Sequence, residues 1–357
     1  MSDRGPSPTN APAPDVAPKA SPSAAVPSVP VTGATRPPPP DPFLPLAPSE
    51  PKSKSEIELA KGDAAYRAKA WKDARAAYGA AKTLAPKAAA PIVGLARTAL
   101  AEIDLPEDFA AGKGNKVVAA VARDLQKAVE LEATSGIAWV EKGRVLLLAG
   151  DADQALRAAK RGAELLPDAA EAQSALGIAL LATGRPAESV EPLTTASRLE
   201  PDSPARLGNL GTVLFMTGKV DEAVSAYDRA VRLDPTNART RSDLGTALLA
   251  SNDLARGTRE LEEAVRLDER RATFRSNLGY AYQLQNRFPE AIAKYREAIA
   301  LDATLASAWI NLATALSADP KTRAEARAAL LRAKAIDPTD PRVKANLDEL
   351  DALERAH

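Results

Sequence analysis

The sequence predicts an all-α solenoid of paired helices that follows a disordered N-terminal tail. From about residue 54 onward, apolar residues recur at the three- and four-residue spacing of an amphipathic helix. Within that region, small residues and prolines recur every 34 residues, a period that holds two helices and two turns. Because one helix pair cannot bury its apolar face alone, successive pairs are expected to stack into a continuous core.

The predicted tail is residues 1–54, in which proline, alanine and serine dominate. Such a composition buries too little apolar surface to offset the entropy lost on ordering, so we expect disorder. Its most proline-rich stretch, Arg36–Pro48, has two interpretations. It either docks into a groove, of another protein or of this one, or it is a stiff solvated linker. We favour the linker, because proline-rich tails are common and mostly unspecific.

The repeat is most regular in the middle of the chain. Glycines stand 34 residues apart at Gly143, Gly177, Gly211, Gly245 and Gly279. Twelve residues after each glycine comes a second small residue, at Ala155, Ser189, Ala223, Gly257 and Ala291. A third small residue follows seven positions later, at Gly162, Ala196, Ala230, Ala264 and Ala298. We expect these positions to let the paired helices approach closely, and Pro167, Pro201 and Pro235 to separate successive units.

The turn inside each unit carries its own signal. Gly150, Gly184 and Gly218 fall between the two apolar patterns, where a helix commonly ends in a left-handed residue. Asn252 and Asn286 replace glycine in the next two units, and asparagine tolerates that conformation better than most residues. The first helix of each pair is therefore expected to end just before these positions.

These spacings resemble the tetratricopeptide repeat (TPR) family. That family has small residues at the eighth, twentieth and twenty-seventh positions of each repeat and proline at the thirty-second. The resemblance implies a right-handed superhelix in which the first helix of every repeat lines a concave groove. The array of O-linked N-acetylglucosamine transferases is similar in lining its groove with asparagines. The resemblance covers the repeats only, and we expect no glycosyltransferase domain in this chain.

The repeat register divides the chain into three parts. Residues 55–340 are assigned to eight repeats, and residues 341–357 to a capping helix whose polar face shields the end of the array. The second helix of the second repeat arrives late, which predicts a loop insertion at about residues 102–115. Such an insertion is either a partner-specific lip or a plain connection.

Polar residues recur at two groove-facing positions of the first helices. They are Asn209, Asp243, Asn277, Asn311 and Asn346 at one position, and Thr212, Thr246, Tyr280 and Thr314 three residues later. An asparagine carries donors and an acceptor, so it can pair with both N–H and C=O of an extended peptide. The alternative is that asparagine simply solvates an exposed helix face. The N-terminal half offers Glu141 and Arg144 instead.

Composition excludes several classes of chemistry. The chain has no cysteine and a single histidine, His357, so neither a Ser-His-Asp triad nor a zinc site of the usual ligands can form within the repeats. Lysine and arginine balance aspartate and glutamate at 47 each, which argues against a nucleic-acid-binding surface. We therefore expect a protein that is not an enzyme and that needs no cofactor or metal.

The preferred hypothesis is an adaptor or scaffold that binds an extended peptide or a partner's helix in the concave groove. The alternative is an assembly factor that self-associates or acts through its convex face, or a non-catalytic subunit of a separately encoded enzyme. The sequence shows neither a signal peptide nor an apolar run long enough for a transmembrane helix, so we expect a cytoplasmic protein without membrane insertion. Its alanine and arginine content is typical of a bacterium with a GC-rich genome.

Overall fold

A computed structural model describes residues 44–103, 105 and 110–355 of the chain. Across these residues the regular structure consists of seventeen α-helices and one short 3-10 helix, with no β-strand, so the all-α prediction is confirmed. Most of the tail for which the sequence predicts disorder, residues 1–43, lies outside the described part. None of the described helices is long and apolar enough to cross a membrane.

The helices alternate between two layers. The odd-numbered, first helices are α1 Lys54–Arg67, α3 Ala89–Ala101, α5 Gly136–Ala149, α7 Ala170–Ala182, α9 Pro204–Met216, α11 Ala238–Ala250, α13 Ala272–Leu284, α15 Ala306–Ser317 and α17 Pro341–Arg355. The even-numbered, second helices are α2 Trp71–Leu84, α4 Lys116–Leu131, α6 Ala152–Leu165, α8 Pro186–Leu199, α10 Val220–Leu233, α12 Leu254–Leu267, α14 Phe288–Leu301 and α16 Arg323–Ile336.

The contacts between helices show how the array curves. Each even-numbered helix packs against the first helix of its own pair and against the first helix of the next pair. Each first helix also runs close to the following first helix, whereas no two described second helices come as close along their backbones, although long side chains such as Arg256 and Asp228 link α12 to α10. The first helices are therefore closer together than the second helices. They form the inner, concave side of the solenoid, and the second helices form its outer side.

Small residues allow the paired helices to approach. A methyl group on Gly62, Gly211 or Gly279 would overlap the tyrosine ring that packs across the pair from the second helix. These rings belong to Tyr78, Tyr227 and Tyr295. In the sixth pair, the β-carbon of an alanine at Gly257 would lie 2.9 Å from the carbonyl oxygen of Gly245. The glycine period in the sequence thus marks real points of helix contact.

The turns between first and second helices have the expected left-handed residue. Gly150, Gly184 and Gly218 have φ angles of +83°, +71° and +79°. Asn252 and Asn286 take the same conformation, at 68° and 58°, which confirms the prediction for the turn. In the first pair this position is Lys69, with a φ of 58°, although lysine gives no sequence signal for it.

The described part of the connection between α3 and α4 packs against the neighbouring pair. The main-chain N–H groups of Ala110 and Gly112 donate to the carbonyl oxygens of Leu147 and Leu148 at the end of α5. Asn115 then caps α4 by accepting from the N–H groups of the first turn. These bonds attach residues 110–115 to the array.

At the other end, α17 covers the last helix pair. Val343 and Leu350 are buried against α15 and α16. Arg323 donates to the carbonyl oxygen of Leu353 at 2.9 Å, which ties the end of α17 to the start of α16. Between α15 and α16, the 3-10 helix Pro320–Thr322 absorbs the one extra residue of that repeat.

Candidate functional site

The concave face divides into two regions of different chemistry. The C-terminal groove is formed by α9, α11, α13, α15 and α17, and it carries the nine polar residues that the sequence predicts. The N-terminal groove is formed by α1, α3, α5 and α7. Its side chains are charged instead of neutral, and a segment of the chain itself lies against them.

In the C-terminal groove, two asparagines connect neighbouring first helices. The Nδ2 of Asn277 donates to the Oγ of Ser242 at 3.1 Å, and the Nδ2 of Asn346 donates to the Oγ1 of Thr314 at 3.1 Å. Each amide has a second N–H and a carbonyl oxygen that this bond does not use. Asn311, between them, is partly exposed. The amides therefore link neighbouring first helices and also lie at the surface of the groove.

The threonine position is less accessible than the asparagine position. Thr212 and Thr246 are only 4% and 8% exposed, and their hydroxyls donate to main-chain carbonyls of their own helices. The Thr212 hydroxyl also accepts from the Tyr227 hydroxyl at 3.0 Å. Thr314 is exposed, and Tyr280 is half-buried, which raises the pKa of its phenol. Thr314 and Tyr280 are thus the members of this position that reach the surface.

Asp243 and Asn209 have unusual polar environments. Burial raises the pKa of the Asp243 carboxyl to about 6, although Arg239, 4.0 Å away, acts in the opposite direction. A protonated carboxyl offers both a donor and an acceptor, as an asparagine amide does. The Nδ2 of Asn209 is shielded from solvent and has no hydrogen-bond partner among the described residues.

The N-terminal groove contains a network of buried charges, which we call the charge cluster. Its members are Asp63 of α1, Arg97 of α3, Glu141 and Arg144 of α5, and Glu171 of α7. The Nε of Arg97 lies 2.6 Å from Glu141, and the Nη1 of Arg144 lies 3.2 Å from Glu141 and 2.9 Å from Glu171. Four consecutive first helices therefore contribute charged side chains along the concave face.

The pKa values within the cluster show that the opposite charges compensate for burial. Burial alone would raise the pKa of Glu141, but Arg144 and Arg97 outweigh it and hold the pKa below its usual range. Burial alone would lower the pKa of each arginine, yet the adjoining carboxylates raise it above the ordinary value. Glu141, Arg97 and Arg144 are consequently all charged at neutral pH.

Residues 44–47, here called the docked segment, lie against this cluster. The N–H groups of Leu46 and Ala47 both donate to the Oδ2 of Asp63, at 2.8 and 3.0 Å. The other oxygen of Asp63 accepts from the Tyr78 hydroxyl at 2.8 Å, which fixes the orientation of the carboxylate. The side chain of Leu46 is buried among the apolar residues of the first pairs.

Leu44 is held through its main chain on both sides. Its carbonyl oxygen accepts from the Nη1 of Arg97 at 2.8 Å, and its N–H donates to Glu171 at 3.4 Å. The docked segment has neither helical nor strand structure, and it runs from α7 and α3 toward α1. It therefore lies along the groove in the direction opposite to the order of the repeats.

Sequence reasoning found only part of this site. It identified Glu141 and Arg144 as the polar residues of the N-terminal half but missed Asp63, Arg97 and Glu171. A signal was present, since Asp63, Arg97 and Arg144 each follow the small residue of the first helix, the position that Thr212 occupies later. Composition also favours a solvated linker for residues 36–48, whereas residues 44–47 are docked; composition does not report the charge cluster that holds them.

Comparison with known families agrees with the helix geometry. The family model described as tetratricopeptide repeat matches residues 140–204, 174–238 and 242–306. Residues 140–238 and 242–306 are therefore tetratricopeptide repeats. The matched segments cover α6 to α14 and parts of the adjoining first helices, so the family assignment rests on the most regular pairs. No curated protein matches the sequence.

Several solved structures have a similar fold. A chain in the crystal structure of the APC/C hetero-tetramer Cut9-Hcn1 is 18% identical, with a TM-score of 0.62 over 83% of this chain and 56% of that chain. This chain thus spans little more than half the length of that protein. PilF of Pseudomonas aeruginosa is 19% identical, with a TM-score of 0.49 over 60% of this chain and 97% of that chain.

A third similar structure is YrrB, described as a TPR protein with an unusual peptide-binding site. It is 21% identical, with a TM-score of 0.43 over 52% of this chain and 96% of that chain. At these identities the likeness concerns the fold alone. TPR arrays generally act as scaffolds for protein–protein interaction.

Proposed function

We propose that this TPR protein is an interaction scaffold whose concave face binds an extended peptide of a partner protein. The observation that carries the proposal is the docked segment. Its main chain, which bends at Leu46 and Ala47, lies in the groove, and groove side chains bond both its N–H and its C=O groups. Side chains that bond one segment through its main chain are suited to bind others, because every peptide presents the same groups.

The partner is proposed to occupy the C-terminal groove, which the docked segment does not reach. Asn277, Asn311 and Asn346 present amides on successive first helices there, and Tyr280 and Thr314 lie beside them. Amides spaced along an array suit a peptide in extended conformation, whose donors and acceptors also recur along its length. Because these five side chains are neutral, the surface would select its partner by shape and hydrogen bonding.

A pull-down from the native lysate tests the proposal. The full-length chain is compared with a variant that carries Asn277→Ala and Asn311→Ala, and captured proteins are identified by mass spectrometry. Loss of a partner from the variant is the expected result. Gln126→Ala with Gln154→Ala is the matched control, because it removes two amides from the exposed side of second helices. A partner held equally by all three proteins would move the binding site away from the C-terminal groove.

A second candidate function is self-association. Large apolar residues are exposed at the last position of several second helices, namely Leu84, Leu131, Leu233, Leu301 and Ile336. Repeated apolar exposure along one edge is a common property of protein contact surfaces. Sedimentation velocity at increasing concentration tests this role, with Leu233→Glu plus Leu301→Glu as the variant and Met216→Glu, at the end of a first helix, as the control. A monomer at every concentration excludes it.

A further inference from the structure

We propose that the docked segment is a built-in ligand of the N-terminal groove, and that a partner's peptide with a large apolar residue displaces it. The inference rests on the proposed function and adds to it a second binding region, the chemistry of its ligand and a means of regulation. In the free protein this half of the groove is closed by residues 44–47.

The first support is that the cluster bonds main-chain groups. Asp63 accepts from two successive N–H groups, and Arg97 donates to the carbonyl oxygen of Leu44. Charge-assisted hydrogen bonds of this kind are about twice as strong as neutral ones. None of them depends on which side chains the segment carries. The same side chains would therefore bond the main chain of another peptide that adopts the same conformation.

The second support is that the site selects one side chain. Leu46 is buried with Leu59, Ile92 and Val93, whereas Pro45 points to solvent. The cluster has three carboxylates and two guanidinium groups, so an acidic residue at the Leu46 position would meet both an apolar pocket and a surplus of negative charge. The ligand class is therefore a peptide with a large apolar residue at this position and no acidic group there.

The third support is the short connection to the array. Residues 48–53 alone separate the docked segment from α1, whose start is fixed by a capping box between Ser53 and Glu56. A tether this short gives an effective concentration on the order of millimolar. A partner peptide must compete with that local concentration, so the docked segment sets a threshold that only a strong or multivalent ligand overcomes.

The test uses a fluorescent peptide with the sequence of residues 41–50, added to full-length protein and followed by fluorescence anisotropy. Leu46→Asp in the protein should release the docked segment and open the groove. We expect this variant to bind the peptide with a Kd about tenfold or more below that of the wild type, where the tethered segment competes. Ser49→Asp is the matched control, because it places the same charge at an exposed position of the tail. It should behave as the wild type does.

A peptide that itself carries Leu46→Asp should not bind the opened protein. Equal binding by the wild type and the Leu46→Asp protein, or no binding by either, overturns the inference. If the proteins that bind the C-terminal groove are still captured in that case, the proposed function stands without it. If the Asn277→Ala and Asn311→Ala variant captures the same partners as the wild type while the opened protein still binds the peptide, the proposed role of the C-terminal groove fails and the docked segment remains a ligand of the N-terminal groove.

Hydrogen exchange of the wild type gives a measurement that needs no variant. The amides of Leu46 and Ala47 should exchange slowly although they lie outside regular secondary structure, because both donate to the buried Asp63 carboxylate. Exchange at the rate of a solvated peptide would show that the segment is not docked in solution, and it would overturn the inference even if Leu46→Asp failed to fold.

Discussion

Two glycines of the array have opposite surroundings, and alanine should act on them in opposite directions. At Gly257 a β-carbon would lie 2.9 Å from the carbonyl oxygen of Gly245, so the two helices must separate. Gly257→Ala should lower the free energy of unfolding by about 1–2 kcal/mol. At Gly79, in the middle of α2, no atom lies within 4 Å of an added β-carbon. Gly79→Ala should therefore raise the free energy of unfolding by about 0.5–1 kcal/mol. Urea unfolding of both variants measures the difference, and stabilisation at Gly257 would contradict the close contact.

The carboxyl of Asp243 should make stability depend on pH between about 4 and 6. Burial raises its pKa from 3.8 to about 6 in the folded protein. The folded state therefore binds the proton more tightly than the unfolded state, and this contribution to stability is lost as the pH rises through that window. Asp243→Asn stays neutral, so it should match the wild type near pH 4 and exceed it by about 1–2 kcal/mol at pH 7.

Thermal unfolding of both proteins from pH 4 to pH 7.5 measures this difference. Asp348→Asn is the control, since Asp348 is exposed on α17. Its difference from the wild type should stay constant over the same range. A constant difference for Asp243→Asn as well would show that the carboxyl is not enclosed in solution.

At the residue scale, the sequence predicts the role of residues that recur in every repeat, but it does not predict a cluster whose members each occur once. The glycine of each first helix recurs every 34 residues, so its role in close packing follows from the sequence alone. The charge cluster contains each of its residues once. Asp63 and Arg97 are opposite charges on different helices, and only the fold places them on one face. The position after the small residue marks three of the five members, but nothing in the sequence links Glu171 to them.

At the scale of elements, the turn of the first pair is strained where the glycine turns are not. Lys69 holds a φ of 58°, a conformation that costs a residue with a β-carbon roughly 1–2 kcal/mol. Glycine removes this strain, but it also has more conformational entropy to lose on folding, which offsets part of the gain. Lys69→Gly should therefore stabilise the protein by about 0.5–1 kcal/mol. Gly184→Lys is the reverse change, at a φ of +71° with no neighbouring atom, and should destabilise by a similar amount. Thermal unfolding that moves both variants in the same direction would contradict this explanation.

The helices themselves were predictable because their signals are local. Left-handed residues mark the ends of first helices, and Asn115 marks the start of α4. The connection between α3 and α4 shows the limit of local signals. The repeat register placed an insertion at about residues 102–115, but the bonds from Ala110 and Gly112 to the end of α5 depend on a neighbour 35 residues or more further along the chain.

At the scale of the whole molecule, the array has two unlike halves on one concave face. The C-terminal groove is largely neutral, with its polar groups on successive first helices, and the N-terminal groove is charged and occupied by the docked segment. The resemblance to the TPR family implied the curvature and the inner layer. It did not predict that the tail would return to the groove, because that contact joins residues 44–47 to separate helices of the array.

The modular contacts of the array should confine the effect of losing one buried charge. Arg144→Met would leave Glu171, and one side of Glu141, without the cation that compensates their burial, at a cost of about 3–5 kcal/mol. Because each pair contacts only its neighbours, hydrogen exchange should accelerate in α3–α8 while α13–α16 keep their protection. Arg256→Met, which breaks the more exposed pair with Asp228, is the control and should change exchange little. Equal acceleration in every helix would instead show that the whole array unfolds as one cooperative unit.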